Sequence, residues 1–193
     1  MKSYKFDDIE DWLAALSEGR PVAIMPTPMA AEVLDESASA LSKKLKNEIV
    51  PSISIGDRTL LSADWVNGEV VKAGRLFDDT KTILERVARR GSIIFYGDLM
   101  AELDMSWQSP PDRKKIGMVL GDISAASLEE EGIFLSSIVH RKGAAPTHPG
   151  PGYIGLLKIL KDEDDVIDYD PEEDEMEMIA RHMANVWKHY KSN

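Results

Sequence analysis

Apolar residues first recur at helical spacing in "DDIEDWLAALSE" (7–18), where Ile9, Leu13 and Leu16 share one face with Trp12 beside them. Asp7 or Asp8 can cap this helix and Gly19 can end it. "PVAIM" (21–25) is a short apolar run that predicts a buried strand. "PTPM" breaks the chain. "AAEVLDESASALSKKLKNE" then predicts a second helix, with Lys43, Lys44 and Lys46 at the negative pole of its dipole. "IVPSISI" predicts a strand at a sheet edge, because Pro51 has no N–H to give a ladder. "DWVNGEVVKAG" sets Asn67-Gly68 between apolar residues and predicts a β-hairpin. Residues 1–76 therefore predict a small α/β unit.

The pattern changes at "DDTKTILERVARRG" (78–91). Aspartates open a helix there, Arg86, Arg89 and Arg90 lie near its end, and Gly91 follows. "SIIF" (92–95) predicts a short strand and "YGDLMAEL" (96–103) a short helix. "PDRKKIGMVLGDISAASLEEEG" (111–132) predicts a longer helix from a proline to a glycine. "IFLSSIVHRK" (133–142) alternates Phe134, Ser136, Ile138 and His140 against Leu135, Ser137, Val139 and Arg141, which predicts a strand. A Gly/Pro loop containing His148 follows, then "YIGLLKIL", then the acidic linker "KDEDDVIDYDPEEDEME". A terminal helix carries Met176, Ile179, Met183, Val186 and Trp187 at helical spacing. The expected class is α+β: an α/β unit (1–76), a winged-helix-like domain (77–161), and an acidic linker with a terminal helix (162–193).

The order helix, strand, helix, turn, helix, strand, glycine loop is that of a winged helix. Helix 111–132 then takes the recognition position, with Arg113, Lys114 and Lys115 at its N-terminal end. The wing would carry His140, Arg141 and Lys142. The two basic triplets would flank one groove and supply phosphate contacts. "GPGYIG" lacks the spacing of a phosphate loop.

Three stretches carry a resemblance. "FYGDLMAEL", "RKKIGMVLG" and "IVHRKG" resemble, in order, three motifs of the DNA-binding domain of O6-alkylguanine-DNA alkyltransferases and alkyltransferase-like proteins. The resemblance implies that Tyr96 matches the tyrosine that helps rotate a target nucleotide. It implies that Lys114 matches the arginine that fills the gap in the stack, and that His140 and Arg141 match the His-Arg pair. Val139 would stand where the family has its reactive cysteine, so alkyl transfer to the protein has no acceptor here. Residues 91–190 also resemble a group of small bacterial and phage proteins, through "YGDL", "LGDI", "LSSIV", "PGPGYIGL" and "VWKHY". That second resemblance implies no particular activity.

Composition narrows the classes. With 193 residues and no cysteine, the chain can build a sizeable core but no disulfide, thiolate nucleophile or cysteine-ligated zinc, which suits a reducing cytoplasm. Acidic residues occupy the place of a signal peptide's apolar core, and no apolar run reaches membrane-spanning length. A cytoplasmic protein without a membrane partner is expected. The net charge of −11 is unevenly spread. Residues 1–161 carry 20 basic and 23 acidic side chains, whereas 162–193 carry 3 and 11. Acidity thus argues against nucleic acid only for the C-terminal segment, which is itself a candidate competitor for the basic groove.

His182 and His189 lie too far apart on one helix to share a metal. His140, Asp98, Tyr96 and Asp57 form no visible nucleophile–base–orienter set. No catalytic residue, metal or cofactor is therefore expected. The leading expectation is a non-enzymatic protein that binds double-stranded DNA through Tyr96, Arg113, Lys114, Lys115, His140, Arg141 and Lys142. One alternative is an adaptor that meets a protein partner or a second copy through the Met-rich helix and Trp187. Another is a small enzyme acting on nucleic acid.

Overall fold

A computed structural model describes residues 3–143, 148–163 and 168–192, the side chains of 162, 163 and 192 excepted. The fold is α+β, and the chain divides into two compact units, Met1–Arg75 and Leu76–Asn193.

In the first unit, β1 (Tyr4–Phe6), β2 (Ile24–Met25), β3 (Ser52–Ile55) and β4 (Arg58–Ser62) form one sheet in the order β1-β3-β4-β2. β1 runs parallel to β3, while β4 is antiparallel to both β3 and β2. Ile53 pairs with Leu60, so Ile53 and Leu61 point to opposite faces. Each face is covered. Ile53 packs with Ala15 and Val22, and Leu61 with Ala30, Ala31, Leu41, Val50 and Val66.

Helix α1 (Ile9–Ser17) is capped by Asp8, whose side chain accepts from the N–H groups of Glu10 and Asp11. It contributes Ala15 to the core, and Trp12 donates its indole N–H to the Val22 carbonyl at 2.9 Å. Its stripe of Ile9, Leu13 and Leu16 remains exposed.

Three expectations for this half are corrected. The single helix from residue 30 to 48 is two, α2 (Thr27–Val33) and α3 (Ala38–Lys46). Asp35 takes a left-handed φ of 50° and Ser37 accepts from the Ala40 N–H, so the cap of α3 competes with continuation. β3 is interior and not an edge, since "YKF" supplies β1 as its outer neighbour. Pro51 precedes the strand and interrupts no ladder.

The hairpin is not at Asn67-Gly68. It turns through Gly56-Asp57, with Ile55 opposite Arg58 and Gly56 at φ 55°. Asn67 and Gly68 lie within α4 (Ala63–Arg89). A glycine inside a helix costs about 1 kcal/mol. Burying Val66 on the same helix returns about 1.5–3 kcal/mol, so tertiary packing overrides the turn signal.

The division between the units falls within α4, so Asp78 and Asp79 lie inside this helix and do not start one. The second unit continues with β5 (Ile94–Phe95), α5 (Tyr96–Glu102) and α6 (Pro110–Glu131). A 3-10 turn (Leu135–Ile138), β6 (Val139–His140), α7 (Pro151–Glu163) and α8 (Glu175–Ser192) complete it. Ser109 caps α6, and Gly132 ends it in the left-handed conformation.

The strand expected over 133–142 is reduced to β6, which pairs parallel with β5. Residues 133–140 are buried throughout, so their alternation marks no solvent face. Ser127 of α6 bonds the Ile133 carbonyl and the Leu135 N–H, doing what a strand partner would. The "PGYIG" stretch begins α7, so among the described residues no antiparallel wing hairpin follows β6. Residues 144–147 of that loop lie outside the described residues. Terminal helix α8 is part of this unit's core, with Val186 and Tyr190 beside Leu84, Leu135 and Ile138.

Candidate nucleic-acid interface

The geometry centres on the first turn of α5. Phe95 pairs in register with His140, which sets residues 95–98 beside 140–142. From the other side, the Tyr96 hydroxyl donates to the backbone carbonyl of Arg113 at 3.0 Å. Burial raises the Tyr96 phenol above its ordinary value, with the Arg113 guanidinium opposing the shift. Lys142 donates to Asp98 Oδ1 at 2.6 Å and lies 5.4 Å from the centroid of the Phe95 ring. Both partners of that ion pair are more than half exposed, so it orients Lys142 and stabilises by only about 0–1 kcal/mol.

The N-terminal end of α6 carries Arg113, Lys114 and Lys115, all exposed. Arg113 donates from Nη1 to the Trp107 carbonyl at 2.8 Å. Asp112 accepts from the Ser106 N–H at 3.0 Å. Among the described residues no carboxylate pairs with Lys114 or Lys115. Arg141 is exposed. Its N–H donates to the His148 carbonyl at 3.0 Å, and its side chain lies against Gly150.

His140 is corrected: at 3% exposure it faces the interior and not a solvent-facing tip. The reason is the parallel pairing of β6 beneath α5, which the expected hairpin did not contain. Phe95, Asp98 and Trp107 join the site without having been singled out for it. A tryptophan in a Ser/Pro loop between two helices was the legible signal for Trp107.

A second polar cluster joins α7 to α8. The buried Tyr153 hydroxyl is 2.7 Å from His182 Nδ1, and His182 Nε2 is 2.7 Å from the Asp168 carbonyl. A carbonyl only accepts, so Nε2 carries the proton and Nδ1 accepts from the tyrosine. Arg181 joins Asp168 at 2.9 Å and Glu173 at 2.8 Å. Burial pushes the Tyr153 phenol up and holds the His182 imidazole below its ordinary value. The chain therefore keeps this histidine neutral and bonded on both nitrogens. Phe134 packs against this ring at a tilt of 40°, with ring centres 4.7 Å apart.

Among the described residues no group of three or more His, Asp or Glu side chains is placed to hold a metal ion. None of their helices is long and apolar enough to cross a membrane. Comparison with protein-family models, with curated proteins and with solved structures found no match.

Proposed function

We propose that this protein is a non-enzymatic nucleic-acid-binding protein of the cytoplasm. Its second unit meets the DNA backbone through Arg113, Lys114, Lys115, Arg141 and Lys142. Tyr96 positions the first turn of α6 and does not itself contact phosphate. The observation that carries the reading is the tying of two basic segments, distant in sequence, to the first turn of α5: one through Tyr96 and the other through Asp98. The helix pair α5–α6 fits a winged-helix-like reader, and the alkyltransferase-like motifs fall on these same elements. An antiparallel wing is not part of the proposal. His140 acts as an interior residue beneath the site.

Double-stranded DNA of mixed sequence is the first ligand to test, by fluorescence anisotropy over a salt series. Removing one phosphate-binding cation should lower the slope of log affinity against log salt by about 0.9. The variant K114A/K115A is expected to bind more weakly and with a shallower slope. Unchanged affinity and slope, or failure of the intact chain to bind both duplex and single-stranded DNA, would overturn the proposal.

A protein contact remains a second reading, and it moves to the first unit. Ile9, Leu13 and Leu16 of α1 are 59%, 49% and 40% exposed. Ile179, Val186 and Tyr190 of α8 are spent inside the core, and Trp187 is bonded to the Ser92 carbonyl.

A further inference from the structure

Tryptophan buries most of its surface in folded proteins. Trp107 is 60% exposed. Trp12 and Trp187 donate their indole N–H groups to backbone carbonyls, whereas Trp107 makes no such bond among the described residues. Its display is not the accident of a loose loop. The Ser109 N–H donates to the Ser106 carbonyl at 3.0 Å, and the Gln108 N–H to the Ser106 hydroxyl at 3.3 Å. Asp112 accepts from the Ser106 N–H, and Arg113 holds the Trp107 carbonyl itself. Four hydrogen bonds therefore pin residues 106–109 around a ring that packs into no core cluster.

The segment that holds this residue runs into a basic one. Arg113 donates to the Trp107 backbone carbonyl, and Lys114 and Lys115 follow it along α6, both exposed and with no carboxylate partner among the described residues. A pinned, exposed aromatic residue held by the start of a basic helix matches one ligand chemistry well: a nucleobase out of its stack, with phosphates on either side. An intact duplex offers phosphates but hides its base faces. An acidic peptide would use the cations and leave the ring idle.

We propose that Trp107 is a stacking platform for an unpaired base, so that this surface prefers single-stranded or locally opened nucleic acid over intact duplex. The inference rests on the nucleic-acid reading above and names its substrate class. Stacking supplies sequence-tolerant affinity, because every base has a flat face. The lysines and arginines supply the salt-dependent part.

The test compares the full chain with Trp107→Ala and Trp107→Phe on an oligothymidine single strand and on a blunt duplex. Loss of one stacked base should weaken single-strand binding roughly 5- to 150-fold in Trp107→Ala. Trp107→Phe should keep most of the affinity, and duplex binding should move little. Oligothymidine should also quench intrinsic fluorescence in the wild type more than in Trp107→Phe, which retains Trp12, Trp65 and Trp187. Because the ring is exposed, both variants should unfold at the wild-type denaturant midpoint.

Equal weakening on both ligands, or none on the single strand, would overturn the stacking role and leave the basic surface standing. Failure of the wild type to bind either ligand would overturn the nucleic-acid reading and this inference together.

Discussion

One phenolic hydroxyl joins the two helices of the pair. Tyr96 lies at the start of α5 and donates to a carbonyl in the first turn of α6. Tyr96→Phe removes that bond and leaves the ring in place. The stranded Arg113 carbonyl lies near the surface and can turn to water, so the loss should be about 0.5–1.5 kcal/mol. Urea unfolding would measure it, and a wild-type midpoint in the variant would refute the coupling. With its phenol held above the ordinary value, Tyr96 remains a donor up to about pH 10 and adds no step to a binding profile below that. Charge at this scale is legible in a sequence: Arg113, Lys114, Lys115, Arg141 and Lys142 are all exposed, as a basic run should be. Burial is less legible. Nothing in "IVHRKG" distinguishes His140 on an exposed wing from His140 beneath a parallel strand pair, because the difference depends on which strand lies beside it.

Elements set by their own residues were readable. Helices α1, α5 and α6 carry their periodicity or their caps, and α6 runs between Ser109 and Gly132 much as proline and glycine predict. Elements decided by partners were not. Asn67-Gly68 is a strong turn signal locally, yet Val66 is buried in one unit and Leu84 in the other, and the helix through both wins. Residues 133–140 show a strand's alternation, but Ile133 and Leu135 bond Ser127 of α6 and only Val139 and His140 join a strand partner.

The contact of α7 with α8 makes a prediction at this scale, through the Tyr153–His182–Asp168 chain. His182 is held below its ordinary value mainly by burial. Asp168 and Glu173 pull the other way, and Arg181 adds to the depression. The unfolded chain therefore takes up the proton first, near pH 6.5. Stability from the neutral His182 is complete above that pH and is lost as pH falls toward the folded-state value. His182→Gln should cost about 1–3 kcal/mol at neutral pH and above. The gap to wild type should narrow on acidification through that window, read from urea unfolding at a series of pH values. A gap that widened as pH fell would mean that the native state favours the charged imidazole.

At the scale of the whole molecule, the uneven charge invites the view that 162–193 is a detachable acidic appendage. Packing opposes that. Met178, Ile179, Val186 and Tyr190 are buried against residues of α4, α7 and the 3-10 turn. At about 1.5–3 kcal/mol for each large apolar side chain, their burial rivals the 5–15 kcal/mol that a whole domain typically holds. A chain ending at residue 161 should therefore lose the fold of its second unit, and its failure to bind DNA would say nothing about competition by the acidic segment.

Charge must instead be removed without removing the helix. Glu172, Glu175 and Glu177 are exposed and hold no ion pair among the described residues, whereas Asp168 and Glu173 engage Arg181. Replacing those three glutamates by glutamine should cost at most about 1 kcal/mol for each of Glu175 and Glu177, which lie at the positive end of α8. If the segment competes with nucleic acid for the basic surface, the triple variant should bind DNA more tightly at low salt. The gain should fade as the screening length shrinks from about 30 Å at 0.01 M to about 8 Å at 0.15 M. Equal affinities for variant and wild type at low salt would make these carboxylates a solvated surface, and the salt dependence of binding would then belong to the basic side chains alone.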